Sequence, residues 1–299
     1  MYTKYYLSVI SAFTIWGFFS LPLKALDTYS SLDILLFRLT IASVVILLIS
    51  FTYRKKISFE NIRQFQNFSK KEKRKLLLLN VVSAVLLAIN WYLFIYVMNN
   101  ISVKATSLAY LICPILTTIL AFIFLKDKLT KIQWIAVFLS IFSCILLSLG
   151  NFLDIFYSSI IAISYAIYLI LQKNNYHLDR FFTLTFQIAC GTLILLPLFA
   201  YSQETPVKGL YFYGISTLIA VFFTITPMFL NVYSLNKLSS STAGIFICLN
   251  PLISFFLAVF YFKESMDGIQ IFSYSLVFFA LLMFNHEISR FFLRKRIRN

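Results

Sequence analysis

Residues 113–133 read CPILTTILAFIFLKDKLTKIQ, and residues 250–270 read NPLISFFLAVFYFKESMDGIQ. The two stretches share six residues at the same spacing, with a constant offset of 137 positions. The shared pairs are Pro114 and Pro251, Leu120 and Leu257, Ala121 and Ala258, Lys126 and Lys263, Ile132 and Ile269, and Gln133 and Gln270. Apolar helices can resemble each other by composition alone, but composition does not account for matched Pro, Lys and Gln at fixed spacing. The sequence therefore predicts an internal repeat.

The repeat extends over the rest of the chain. The offset of 137 also pairs Tyr96 with Tyr233, Asn99 with Asn236 and Ser102 with Ser239. At the beginning of the two halves the offset becomes 149, which pairs Trp16 with Tyr165, Phe19 with Tyr168, Lys24 with Lys173 and Arg38 with Gln187. A basic loop over residues 53–75 of the first half accounts for the change of offset. We predict two domains, residues 1–150 and 151–299, each containing one copy of the repeat.

The two copies consist of apolar segments that are long enough to cross a bilayer. Hydrophobic residues make up 60% of the chain and charged residues 12%, whereas a soluble domain carries roughly a quarter charged residues. A membrane-spanning helix needs about 20 apolar residues, because its backbone N–H and C=O groups must be satisfied within the segment. The ten predicted spans are residues 5–26, 32–52, 76–98, 105–125, 132–149, 152–171, 181–201, 210–235, 242–262 and 269–288. The predicted fold class is an all-α integral membrane protein.

The distribution of basic residues predicts the orientation. Ten spans place both termini on one side, and 21 of the 26 Lys and Arg residues then lie on that side. Since basic loops stay in the cytoplasm, both termini are predicted to be cytoplasmic. This topology also explains the net charge of +15 without a nucleic-acid partner. Five spans per copy is an odd number, so the second copy is predicted to be inverted; the assignment depends on the helix count around Gly150.

Inverted repeats are typical of secondary transporters, in which substrate binds near the midplane and alternating access follows from exchange between the halves. A channel would be expected to carry repeated polar rings, and a membrane enzyme a cluster of acid, His or Ser residues. The sequence shows neither, and it contains no metal-ligand set, no catalytic dyad and no GxxxxGK[ST] loop for ATP. It predicts no cofactor. A membrane scaffold or lipid-handling protein without solute transport remains the alternative.

Arg38 is a charged residue within a predicted span. It lies about 9 Å from the start of the span at 1.5 Å per residue, where an unpaired charge is costly. One interpretation is a cationic anchor for a substrate carboxylate or phosphate. The other is a structural pair with Asp33, a backbone carbonyl or water near the outer surface.

Polar and aromatic residues near prolines are the other candidates. Asn90 and Trp91 lie mid-chain in the third span, Tyr110 precedes Pro114, and Asn250 precedes Pro251. A polar group beside a broken helical hydrogen bond can line a cavity, or it can simply hold helices together. A second group, Trp16, Phe19, Tyr165 and Tyr168, is predicted to form an aromatic lining between the first and sixth spans. The alternative to an aromatic lining is that these rings pack in the ordinary way.

These residues resemble the motifs of EamA-type permeases in the drug and metabolite transporter superfamily, most closely the RarD-like branch. The matching residues are Arg38, Asn90, Trp91, Tyr92, Asn99, Ser107, Leu108, Ala109, Tyr110, Pro114, Lys126, Gln133 and Trp134, and in the second half Thr226, Pro227, Gly244, Asn250, Pro251, Glu264 and Gln270. The resemblance implies a ten-helix permease of the bacterial inner membrane that exports amino acids, other metabolites or drugs. Four-helix relatives couple to protons through a glutamate in their first span. Residues 5–26 contain no acid, so the resemblance does not imply proton coupling by that route.

We therefore predict a multi-pass membrane protein whose partners are a small-molecule substrate and membrane lipids, with a homodimer as a candidate assembly. The predicted substrate-binding residues are Trp16, Phe19, Arg38, Asn90, Trp91, Tyr110, Tyr165, Tyr168, Thr226 and Asn250. The predicted helix-break positions are Pro22, Pro114, Pro227 and Pro251.

Overall fold

The structure is a computed structural model of the chain. It describes residues 3–125, 129–148, 152–173, 175, 178–201, 208–234, 237–238, 246 and 249–297. Every regular element within these ranges is a helix. The α-helices are α1 (Thr3–Gly17), α2 (Ser20–Lys24), α3 (Ser31–Phe51), α4 (Lys55–Asn67), α5 (Lys70–Asn100), α6 (Val103–Leu125), α7 (Lys131–Ser148), α8 (Phe152–Lys173), α9 (Arg180–Leu195), α10 (Leu210–Ala220), α11 (Thr226–Ser234), α12 (Leu249–Phe256) and α13 (Gly268–Ile297). A 3₁₀ turn (Leu196–Tyr201) follows α9, and π-helical turns (Val221–Ile225 and Leu257–Tyr261) follow α10 and α12.

Seven helical segments in the described part of the chain are long and apolar enough to cross a membrane. They are Thr3–Lys24, Ser31–Phe51, Lys70–Asn100, Val103–Phe124, Phe152–Gln172, Arg180–Tyr201 and Leu210–Ser234. Three shorter apolar helices, Lys131–Leu147, Leu249–Tyr261 and Gly268–Met283, lie in the remaining predicted spans. Residues 242–245 and 247–248 of the ninth predicted span lie outside the described residues. The protein is an all-helical, multi-pass membrane protein.

The basic segment 53–75 is not the loop that the sequence predicts. It folds as α4, and α5 begins at Lys70 rather than at residue 76. Ser69 starts α5 through a capping box, in which its hydroxyl accepts from the Glu72 N–H and the Glu72 carboxylate accepts from the Ser69 N–H. This reciprocal capping satisfies backbone donors at the helix start, so the helix begins before its apolar stretch.

The two halves of the chain are interleaved. α1 packs against α11 and α12, α8 packs against α5 and α6, and α3 packs against α9 and α10. α7 packs against α13, and α6 against α12. The largest buried cluster contains Phe19, Ile34 and Phe94 of the first half together with Phe181 and Phe212 of the second. The core therefore lies between the halves.

Polar contacts tie the halves together at both ends of the helices. At one end Arg54 Nη2 lies 3.4 Å from Asp179 Oδ2. At the other end Lys208 Nζ lies 3.2 Å from Asp33 Oδ2. Each ion pair joins one residue before Gly150 to one after it.

A further contact between the halves involves Glu264, between α12 and α13. Its carboxylate accepts hydrogen bonds from the backbone N–H groups of Val103, at 2.6 Å, and Lys104, at 3.1 Å. A carboxylate at a helix N-terminus satisfies free donors and complements the helix dipole. This contact fixes the start of α6 to the second half.

Candidate functional site

The first membrane segment is interrupted in its second half. α1 ends at Gly17, and α2 begins at Ser20. Pro22 has no N–H, and the carbonyl of Phe18, which residue 22 would bond in a regular helix, accepts instead from Leu21 N at 3.1 Å. The break directs the Phe19 side chain into the protein interior, where it is 6% exposed.

The eighth predicted span is broken as well. The π-helical turn Val221–Ile225 separates α10 from α11, and Pro227 follows it. Within this turn the Thr224 hydroxyl donates to the Ile219 carbonyl at 2.9 Å. Single π turns inside α-helices are frequent at functional sites. Thr224 is 1% exposed, so its side chain points into the core.

Arg38 lies where these two broken segments meet. Its side chain, on α3, is 3% exposed, and its Nε donates to Thr224 Oγ1 at 3.0 Å. Its guanidinium carbon lies 4.7 Å from the ring centroid of Phe19 and 4.9 Å from that of Trp91 on α5. Cation–π contacts of this kind strengthen when they are removed from water. The arginine therefore joins elements from both halves.

The guanidinium is incompletely paired. Nη1 of Arg38 is buried and has no hydrogen-bond partner among the described residues. The pair with Asp33 that the sequence allows is not formed, because the Asp33 carboxylate pairs with Lys208. The site thus keeps a buried positive charge with free N–H donors.

A continuous series of aromatic rings leads away from Phe19. Phe19 stacks on Phe94 and Phe223, and each pair of centroids is 5.8 Å apart. The series continues edge-to-face from Phe94 to Tyr110 at 5.5 Å and from Tyr110 to Tyr165 at 5.8 Å, and then by stacking from Tyr165 to Tyr168 at 5.5 Å. The structure thereby brings together four of the predicted site residues, namely Phe19, Tyr110, Tyr165 and Tyr168.

The far end of this ring series is polar. The Tyr168 hydroxyl donates to Gln187 Oε1 at 3.4 Å, and Gln187 Nε2 donates to Asn80 Oδ1 at 2.8 Å. The predicted repeat pairs Gln187 with Arg38 and Tyr168 with Phe19 at the offset of 149. Arg38 and Phe19 lie at one end of the series and Gln187 and Tyr168 at the other, and of these four residues only Arg38 is charged.

Asn90 connects two helices. Its Nδ2 donates to the Ile161 carbonyl at 2.8 Å and to Ser164 Oγ at 3.0 Å, both on α8. Its Oδ1 is buried without a hydrogen-bond partner in the described part of the structure. This geometry favours the role of Asn90 in holding helices together, whereas the adjacent Trp91 contacts Arg38.

Three other predicted site residues have different surroundings. Trp16 packs on Phe13 at 5.3 Å, within a separate cluster along α1 that includes Val9 and Leu238. The Thr226 hydroxyl donates to the Val221 carbonyl at 2.9 Å. Asn250 is half-buried near the start of α12.

The two remaining proline positions differ from each other. α6 runs through Pro114 without ending, although the missing N–H deprives the Tyr110 carbonyl of one helical bond. Pro251 is the third described residue of α12. Its carbonyl accepts from Ser107 Oγ at 2.7 Å and joins α12 to α6.

The sequence reasoning missed Phe94, Phe223 and Thr224. Phe94 follows Asn90 by four positions and Trp91 by three, so helical spacing could have placed it on their face. Thr224 could not be found in this way, because its direction depends on the π turn.

Comparisons with known proteins agree with this architecture. The sequence model of the EamA-like transporter family matches residues 3–149 and residues 153–286. The uncharacterized transporter YojE of Bacillus subtilis (strain 168) is 28% identical over 276 residues, 91% of this chain and 90% of that protein. Protein RarD of Escherichia coli (strain K12) is 30% identical over 216 residues, 68% of this chain and 70% of that protein. A solved crystal structure has the same fold, with a TM-score of 0.64 at 10% identity, covering 97% of this chain and 100% of the other. The chain belongs to the EamA-like transporter family.

Proposed function

We propose that this protein is a secondary active transporter that exports a small organic solute across the bacterial inner membrane by alternating access. The observation that carries the proposal is the Arg38 site, where interrupted helices from both halves meet in the protein interior. Transporters with inverted repeats bind substrate at such interruptions near the bilayer midplane. The names of the relatives, transporter YojE among them, support the same function.

The pattern of helix contacts supports two inverted five-helix halves, residues 1–150 and 151–299, and ten spans. The repeat pairs the α1 segment with α8, α3 with α9, α5 with the α10–α11 segment, α6 with α12, and α7 with α13. If each helix is replaced by its repeat partner, the contact of α1 with α12 becomes the contact of α8 with α6. The structure contains both of these contacts. In the same way, the contact of α1 with α11 corresponds to that of α8 with α5. The contact of α3 with α10 corresponds to that of α9 with α5. The family model also matches the two halves separately.

Two observations support the predicted topology, the first its orientation with cytoplasmic termini and the second its helix count. The basic residues are concentrated on the side of the termini, as positive-inside topology requires. Both ion pairs, Arg54 with Asp179 and Lys208 with Asp33, join residues that this topology places on the same face. A miscounted helix near Gly150 would place the two members of each pair on opposite faces.

Exchange in liposomes tests the transport function. We expect purified protein, reconstituted into liposomes loaded with unlabelled amino acids and organic acids, to accumulate the corresponding labelled solute from outside. Trp91→Ala, which removes a ring beside Arg38, should lower the initial rate about tenfold. The matched control is Trp134→Ala, since Trp134 is 46% exposed on α7 and packs on Phe122 rather than on the site.

The opposite result is equally clear. If Trp91→Ala and Trp134→Ala both exchange solute at the wild-type rate, transport stands but the Arg38 site does not carry it. If wild-type protein exchanges no solute of the panel, the transport proposal is wrong. A scaffold or lipid-handling role would then be favoured. Assembly as a homodimer stays a prediction of the sequence.

A further inference from the structure

We infer that the substrate is an organic monocarboxylate with an apolar or aromatic body, and that Arg38 binds its carboxylate. The inference rests on the proposed transport function and adds the substrate class. It follows from the hydrogen bonds, the charge and the ring contacts of the Arg38 guanidinium.

The free donors of Arg38 require an acceptor. A guanidinium has five N–H donors and no acceptor. The Nε donor is used by Thr224, whose own proton goes to the Ile219 carbonyl, so that its oxygen is free to accept. Nη1 is buried and unpartnered among the described residues. A buried charge with unpaired donors is unfavourable, and a bound anion would relieve it.

The remaining geometry suits a carboxylate. Because Nε is occupied, the edge formed by Nη1 and Nη2 is the one left for a two-pronged contact. Carboxylates form such paired N–H···O bonds with guanidinium groups. The rings of Phe19 and Trp91, at 4.7 and 4.9 Å from Cζ, restrict approach to the guanidinium from other directions.

The charge at the site indicates a single negative charge. Thr224, which accepts a hydrogen bond from Arg38, and the rings of Phe19 and Trp91 beside the guanidinium are uncharged. Asp33, the acidic residue nearest to Arg38 along α3, is paired with Lys208. One guanidinium balances one carboxylate, whereas a phosphate monoester carries about 1.5 to 2 negative charges at pH 7. A cationic solute would be repelled.

The aromatic rings beside the guanidinium indicate the body of the ligand. Phe94 and Phe223 stack on Phe19, and Tyr110 packs on Phe94. Sites for small organic molecules combine such apolar walls with a few polar groups that orient the ligand. The chemistry of these groups therefore favours an acid with an aromatic or branched apolar body.

Thermal stabilisation of the purified protein with matched ligands tests the inference. The panel contains benzoate with benzamide, phenylacetate with phenylacetamide, phenyl phosphate, and benzyltrimethylammonium. A ligand that binds the folded state raises the melting temperature as its occupancy increases. We expect a saturable rise with the two carboxylates, and no rise with the amides, the phosphate or the cation.

Variants assign the effect to Arg38. Arg38→Gln should weaken carboxylate binding at least tenfold, and Arg38→Lys should retain the preference for acids with lower affinity. Arg63→Gln is the matched control, because Arg63 is exposed on α4. If Arg38→Gln does not yield folded protein, the comparison of Arg38→Lys with wild type carries the test. Lysine keeps the positive charge but cannot form the paired N–H···O bonds of a guanidinium.

Two results would overturn the inference. Equal stabilisation by acids and amides would show that the carboxylate is not recognised, and unchanged binding in Arg38→Gln would place it elsewhere. Liposome exchange separates this failure from that of the proposed function. If the protein exchanges a neutral or cationic solute and Arg38→Gln leaves that exchange unaffected, the inferred carboxylate substrate is wrong and the transport function stands. If there is neither binding nor exchange, both the inference and the proposed function are wrong.

Discussion

At the residue scale, Arg38 shows how a charge is accommodated in an apolar interior. A hydrogen bond to a charged group contributes about 1.5 to 3 kcal/mol, and a desolvated cation–π contact about 2 kcal/mol. Arg38 has one such hydrogen bond, to Thr224, and two ring contacts, with Phe19 and Trp91. These contacts partly offset burial of the guanidinium and hold it in one orientation, while Nη1 stays unpartnered within the described structure.

Thr224 tests this arrangement. We expect Thr224→Val to lower the free energy of unfolding by about 1 to 3 kcal/mol, because it leaves the buried Nε donor without its acceptor. Ligand binding and liposome exchange should fall with it, since the guanidinium loses its orientation. The melting temperature and the exchange rate are the measurements.

The control for this substitution is Thr217→Val. The Thr217 hydroxyl bonds the Tyr213 carbonyl on the exposed face of α10, away from Arg38. We expect its effect on both measurements to be small. Equal effects of the two substitutions would contradict a specific role of Thr224.

At the element scale, helix interruptions decide which side chains face the core. A π turn adds one residue to a helix, which rotates the following residues by about 100° relative to a regular helix. The turn Val221–Ile225 in this way directs Phe223 and Thr224 to Phe19 and Arg38. The break between α1 and α2 acts similarly on Phe19.

The contact between α1 and α12 depends on a glycine. A Cβ on Gly17 would lie 2.7 Å from Ile253 Cβ, closer than side chains approach each other. We expect Gly17→Ala to destabilise the protein by about 1 to 2 kcal/mol, because overpacking outweighs the gain in helix propensity of about 1 kcal/mol. Thermal unfolding in detergent measures the difference.

Two further variants identify the cause. Gly214→Ala is the matched control, since a Cβ at this position of α10 would meet no neighbouring atom within 4 Å; it should be neutral or slightly stabilising. Ile253→Ala removes two of the three close atoms, so Gly17→Ala should cost less stability in the Ile253→Ala background than in the wild-type background. A Gly17→Ala protein as stable as wild type would show that the helices separate without strain.

At the scale of the whole molecule, the halves depend on each other. Each half buries its apolar faces against the other, as the contacts of α3 with α9 and α7 with α13 show. Arg38 and Thr224 are 186 positions apart in the chain and meet only through this packing. A change in how the halves pack would therefore change the site directly.

The orientation of the molecule can be measured with single cysteines. In a background with Cys113, Cys144, Cys190 and Cys248 replaced by Ala, we expect Lys263→Cys to react with a membrane-impermeant maleimide in right-side-out vesicles. Tyr53→Cys, at a position that is 90% exposed, should react only after permeabilisation. The reverse pattern would place the termini outside.

The amino-acid sequence was enough to predict the membrane class, the family and several residues of the ring series. Length and apolarity determine the spans, because a helix satisfies its own backbone wherever the side chains are apolar. Arg38 was recognisable for the same reason, as a charge in a segment that disfavours charge. Tyr110 followed from its position before Pro114, and Phe19, Tyr165 and Tyr168 followed from the predicted pairing of the first and sixth spans.

Which of these residues meet was decided by the packing of the helices. The packing gave Arg38 the partner Thr224 instead of Asp33, placed Phe94 and Phe223 against Phe19, and used Asn90 to join α5 to α8. A sequence pattern reports the period of one helix, about 3.6 residues, and nothing about the neighbour across the interface. Breaks in α1–α2 and α10–α11 shift that period, so the partners of these side chains depend on how the two halves pack.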